Sequence, residues 1–137
     1  MAARHLITGR SGEDAAGRYL EGQGLVVAAR NWRCKGLELD FVCVDRDAAA
    51  TLVFVEVKTR AAAGMTRPDE ALGREKQSRL ARAASLYLSE KQCWRRPCRF
   101  DLVCVTACES GFELEHHVHV FDLSQALGRG NPAWQPW

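Results

Sequence analysis

The run Val53-Phe54-Val55-Glu56-Val57-Lys58 constrains the chain more than any other. Side chains alternate across a strand, so Phe54, Glu56 and Lys58 share one face while Val53, Val55 and Val57 fill the other. Apolar residues on both faces belong to a strand covered on both sides, so other elements must pack above and below it. A carboxylate and an ammonium at the end of such a strand are costly unless partnered. Two readings fit: a surface ion pair at a strand terminus, or a metal-ligand carboxylate beside a catalytic lysine. An acid-x-Lys triplet is weak alone, since about 0.5 are expected by chance among 17 acids and four lysines in 137 residues. This is the only one in the chain, and it lies on an apolar strand.

The flanking pattern supplies the other layers. A helix is predicted over residues 9–21, ended by Gly22 and Gly24. Strands follow over 25–32, 37–44 and 52–58, with Lys35-Gly36 as a turn signal. Their loops are too short for crossovers, so the three form an antiparallel meander. Pro68-Asp69-Glu70 has the character of a helix start, and apolar residues at helical spacing carry that helix to about Glu90, with a break near Gly73. Strands over 99–106 and 112–121 and a helical turn over 123–127 complete the order α-β-β-β-α-β-β, a mixed α/β sheet flanked by helices. Residues 1–127 read as a single domain and 128–137 as an irregular C-terminal tail.

The second strand offers Glu56 a partner. Glu38 and Asp40 point to one face, with Val42 and Val44 continuing it, and Leu37, Leu39, Phe41 and Cys43 to the other. Acids facing the same way are poor strand residues, so this is either a solvent-facing polar row or a carboxylate at the rim of the core. If the second and third strands pair as a hairpin, Asp40 and Glu56 approach each other. Two such carboxylates repel unless a cation lies between them, and Mg²⁺ suits a carboxylate pair completed by waters and phosphate oxygens. On the first helix Glu13 lies beside the stripe of Ala16 and Leu20, pointing to the sheet, and Asp14 faces water. Glu13 also suits the positive end of the helix dipole, and spacing does not choose between the roles. Lys76 interrupts the stripe Leu72, Leu80, Ala83, Tyr87. It is either a snorkelling lysine or an ammonium aimed at the carboxylates or a phosphate.

The net charge of +2 conceals a division. Residues 57–99 carry +7 and the rest −5. Fifteen of the 19 basic residues are arginines. A solvated helix face explains the basic run, but beside a carboxylate cluster Arg60, Arg67, Arg74, Arg82 and Lys76 become phosphate contacts. Arg95 and Arg96 beside Trp94 suit stacking on a single strand, unless Trp94 is a packed loop residue. No stretch without Asp, Glu, Lys or Arg exceeds eight residues, which excludes a membrane-spanning helix. The polar N-terminus reads as neither signal nor transit peptide, so six reduced cysteines and a cytoplasmic location are expected. Zinc ligands drawn from the cysteines and His116, His117 and His119 would need irregular spacing, and the histidines read as edge-strand residues.

These motifs carry a resemblance. Asp40 followed by Glu56-Val57-Lys58 resembles the PD-(D/E)xK core shared by restriction endonucleases and archaeal-type Holliday-junction resolvases. The set as a whole is similar to the YraN-like family of small bacterial proteins. It comprises Gly12-Glu13-Asp14-Ala15-Ala16, Tyr19-Leu20, Gly24-Leu25, Arg30-Asn31-Trp32-Arg33 and Glu38-Leu39-Asp40, then residues 53–60, Lys76 and residues 99–103. The resemblance covers roughly residues 9–105 in order. Leu39 stands where the nominal motif has proline, as the family pattern also has it.

The resemblance implies a restriction-endonuclease-like fold with Glu13, Asp40, Glu56 and Lys58 as catalytic set. Asp40 and Glu56 would hold Mg²⁺ or Mn²⁺, Lys58 would steady the developing charge, and Glu13 would ligate through water or serve a second metal. Asp101 is a supporting group or merely starts its strand, and Glu38 is a reserve carboxylate or a structural polar residue. The expected activity is hydrolysis of DNA phosphodiester bonds, with branched or damaged structures as candidate substrates and a homodimer as the resolvase-like assembly. The alternative is a non-catalytic nucleic-acid-binding module on the same fold, and a more remote one is a metal-binding interaction protein using Cys and His.

Overall fold

Valines alternating with phenylalanine and leucine favour extended backbone and need cover on both sides. The computed structural model, which describes residues 2–60 and 71–128 and only the backbone of 2–10, supplies that cover. Five strands form one sheet in the order β1-β2-β3-β4-β5: β1 Val26–Cys34, β2 Leu37–Val44, β3 Leu52–Arg60, β4 Cys98–Cys108 and β5 Gly111–His117. The first three pair antiparallel, as their short loops require. The β1–β2 turn is Lys35-Gly36 with φ of 51° and 78°, a two-residue hairpin geometry that suits glycine at its second position. β3 and β4 pair parallel in continuous register from Leu52–Cys98 to Arg60–Thr106, and β4 pairs antiparallel with β5.

Helices cover the two faces. α1 (Ala2–Gly22) packs Ala16 and Leu20 on Phe41, Cys43, Val53, Val55, Val103 and Val105. α2 (Arg74–Glu90) and α3 (Leu123–Gly128) cover Leu39, Val42, Phe54, Phe100 and Leu102. The predicted stripe is the buried one, with Leu80, Ala83 and Tyr87 all inside. Tyr87 meets Trp32 and Phe54 edge to face, at 5.3 and 5.9 Å between ring centres.

Some boundaries differ from the sequence reading. α1 begins at Ala2 rather than Gly9, because one glycine inside a helix costs only about 1 kcal/mol and does not stop it. α2 begins after Gly73; residues 61–70, including Pro68-Asp69-Glu70, lie outside the described residues. β5 ends at His117 rather than Phe121. His119 takes a left-handed φ of 56° and gives its N–H to Asp101, so the chain leaves the ladder and Phe121 stacks on Phe100 at 4.2 Å. Gly128 closes α3 rather than opening the tail, and residues 129–137 lie outside the described residues.

The faces of β2 also differ. Leu39 lies with Val42 on the α2 side while Phe41 and Cys43 lie on the α1 side, so alternation breaks at Asp40. Asp40 and Asn31 fall between the paired Arg30–Phe41 and Trp32–Leu39, and Asn31 has a φ of 54°. A single left-handed residue rotates the following side chains to the opposite face, and asparagine tolerates that conformation better than most.

Candidate active site

The break in alternation positions the site. β2 and β3 pair only from Val44–Leu52 to Phe41–Val55. Beyond that pair the strands part, and the Asp40 carboxylate replaces a backbone acceptor: Val57 N–H donates to Asp40 Oδ2 at 2.8 Å. Glu56 lies in the same opening with its side chain 15% exposed, and Lys76 Nζ reaches its Oε2 at 2.9 Å. Burial first, then the charge and hydrogen bond of Asp40, push the Glu56 carboxyl up to about 8, against the partial relief from Lys76. The hairpin thus brings Asp40 and Glu56 together, and Lys76 is an ammonium aimed at the carboxylates.

Glycines bring α1 close. A Cβ on Gly12 would lie 2.9 Å from the Cγ2 and Oγ1 atoms of Thr59, and one on Gly17 would lie 3.3 Å from the Phe41 ring. The helix therefore rests directly on β2 and β3, carrying Glu13 to the sheet as its stripe position predicts. The Glu13 carboxyl is raised above its ordinary range by burial, then by Asp40, with smaller contributions from Glu38 and Asp14 set against Arg30. Asp14 does not simply face water: it pairs with Arg30 at 2.6 Å, and Arg30 stands over the Phe41 ring. Glu38 is exposed beside Arg33 at 3.6 Å, outside the contacts that join Asp40 to Glu56. Lys58 follows Glu56 on its strand and is exposed.

The predicted phosphate contacts divide. Arg74 and Arg82 are exposed on α2, whereas Arg60 stands 3.5 Å from Glu115. Arg67 lies outside the described residues. Arg82 shares a surface depression of ≈ 390 Å³ with Lys35, Arg79 and Leu37. Lys35, read in the sequence only as part of a turn, and Arg79 were not among the predicted phosphate contacts, although Arg79 is three residues from Arg82 and so on its face. Trp94 is a packed loop residue, with its Nε1–H on Ser89 Oγ at 2.9 Å. Arg96 is held in place by donating twice to the Ala50 carbonyl, at 3.0 and 2.6 Å.

The sequence reading also missed a buried polar chain on the α1 side. Asp101 is 1% exposed and accepts from Arg99, from the His119 N–H and from His116 Nε2 at 2.8 Å. A carboxylate only accepts, so His116 donates to it from Nε2–H, and the Tyr19 hydroxyl hydrogen-bonds its Nδ1 at 3.0 Å. Burial pushes the Asp101 carboxyl up, but His116, the His119 amide and Arg99 outweigh it and hold it below the usual carboxylate range. Asp101 is thus far more than the start of a strand. The visible signals were Tyr19 and Arg99-Phe100-Asp101, whose meeting depends on tertiary structure.

No helix among the described residues is long and apolar enough to cross a membrane. Comparison with known proteins places the chain. The profile of a family described as "Uncharacterised protein family UPF0102" matches residues 12–105. A UPF0102 protein of Nitratidesulfovibrio vulgaris strain Hildenborough is 52% identical over 135 residues, covering 98% of each chain. One from Lawsonia intracellularis is 42% identical over 129 residues, covering 94% of this chain and 96% of its own. One from Pseudomonas putida F1 is 48% identical over 105 residues, covering 76% and 83%. The chain belongs to the UPF0102 family, the YraN-like family that its motifs resemble.

Proposed function

We propose that this protein is a divalent-metal-dependent endonuclease with a restriction-endonuclease-like core, acting on DNA, with branched or damaged structures as the first substrates to try. The carrying observation is the Asp40 carboxylate bonded to the Val57 amide beside half-buried Glu56 where β2 and β3 part, a closeness that with burial raises the Glu56 carboxyl to about 8. A fold that forces two carboxylates together stores repulsion that a cation relieves. The donors are hard oxygens, which fits Mg²⁺ or Mn²⁺. Asp40 and Glu56 would hold such an ion, which would supply an activated water and polarise the scissile phosphate.

The chain's own residues do the rest. Lys58 is exposed two residues beyond Glu56, where its ammonium can meet the charge developing on phosphate. Lys76 balances Glu56. Glu13, coupled to Asp40, completes the acidic set through water or at a second ion. Arg74 and the depression formed by Lys35, Arg79 and Arg82 offer exposed cations to the phosphate backbone.

The test is a cleavage screen of linear, branched and single-stranded substrates with Mg²⁺ or Mn²⁺. Cleavage should require the metal and fall by about 10²-fold or more in Glu56→Gln, Asp40→Asn and Lys58→Met, with nucleic-acid binding largely kept. Salt-sensitive binding without cleavage on every substrate would instead identify a non-catalytic binding module.

A further inference from the structure

A second cluster lies on the same face as Glu56, on the next two strands. Register partners across a sheet share a face, so Glu56, Leu102 and His117 form one row and Lys58, Cys104 and Glu115 the next. Cys104 is fully buried, while Glu115 and His117 are half-buried on the edge strand. One donor atom from each of Cys104, Glu115 and His117 falls within 4.8 Å of the other two. An independent observation points to a ligand: His117 Nε2 is buried and has no hydrogen-bond partner, a costly state for an imidazole nitrogen.

We propose that Cys104, Glu115 and His117 form a binding site for a borderline-soft divalent cation, Zn²⁺ by its chemistry, distinct from the Asp40–Glu56 pair. Sulfur, imidazole and carboxylate together suit Zn²⁺, whereas the all-oxygen pair suits Mg²⁺. As the metal–sulfur bond forms, the Cys104 thiol proton leaves to solvent. Three protein ligands leave a fourth tetrahedral position for water. Leu102 stands between Glu56 and His117 in their row and separates the two sets. Sequence spacing hides the site because its members meet across the β4–β5 ladder rather than along the chain.

The test is Co²⁺ titration of the reduced, chelator-treated full-length protein, followed by Zn²⁺. One equivalent of Co²⁺ should produce a thiolate-to-cobalt charge-transfer band that Zn²⁺ abolishes. The band should disappear in Cys104→Ser and persist in Glu56→Gln and Cys108→Ser. His117→Gln, on a half-buried edge position and checked for folding by circular dichroism, should weaken Co²⁺ binding beyond the roughly 10- to 100-fold that loss of an outer contact costs. No band in the wild-type protein, a band surviving Cys104→Ser, or unchanged affinity in folded His117→Gln overturns the proposal.

Discussion

Glu56 shows at one residue how the site is built against stability. Its ordinary pKa near 4.5 rises to about 8 in the folded chain, through burial and Asp40. A raised folded pKa makes a contribution that is full below the ordinary value and lost as pH climbs through the folded one. The metal-free protein should therefore lose stability between about pH 4.5 and 8, and Glu56→Gln should not share that loss. At pH 8 without metal the variant should be more stable, by about 1 kcal/mol, in denaturant titrations. An equal or lower stability would show that the carboxylates do not repel. Glu56 was legible in the sequence because a charge on a strand apolar on both faces is conspicuous. The Lys76 partnership was legible only as one of two options, since helical spacing gives a side chain's face but not what it reaches.

At the level of elements, the β1–β2 hairpin separates what a pattern can foretell from what it cannot. The Lys35-Gly36 turn and the limits of β2 follow from local chemistry, and the structure has them. The faces of Leu37 and Leu39 do not follow, because period-two alternation assumes an unbroken strand and Asn31 is left-handed. That conformation costs most residues about 1–2 kcal/mol. Asn31→Val should destabilise by about that amount or more, while Asn31→Gly should be nearly neutral, measured by thermal or chemical unfolding. A second linkage joins α1 to β4 and β5 through Tyr19, His116 and Asp101. Because the folded Asp101 pKa is lowered, its contribution is present above the usual carboxylate range and lost as pH falls through the folded value. Asp101→Asn should cost about 3 kcal/mol at pH 7 and leave a shallower acid limb in melting temperature against pH. The chain was unreadable beforehand because its members come from α1, β4 and β5.

Across the whole molecule, the charge division gains a location. The +7 of residues 57–99 includes exposed Arg74, Arg79 and Arg82 on α2, with Lys35 brought beside the last two by the β1–β2 turn. If the proposed DNA contact runs through that depression, neutralising Lys35, Arg79 and Arg82 should weaken binding on all sequences alike. It should also flatten the log-affinity against log-salt slope by about 0.9 per contact removed. An unchanged slope would place the nucleic acid elsewhere. Element order and the mixed sheet were readable because short loops, a long helical stripe and apolar strands permit few topologies. The Cys104–Glu115–His117 cluster was not, since cross-strand neighbours are set by register, which is a property of the assembled sheet.

The Asp40 carboxylate that stands in for a backbone carbonyl has one more consequence. It makes the Val57 amide a reporter wired to the site. An N–H bonded to a carboxylate feels that group's ionisation and any cation that draws on it. In a nitrogen-15 spectrum the Val57 resonance should therefore move as Glu56 titrates beside Asp40 and again when Mg²⁺ is added. In Asp40→Asn both responses should shrink, leaving the smaller effect of Glu56 as the preceding residue. The strand separation thus carries its own native spectator, read without attaching any label to the site.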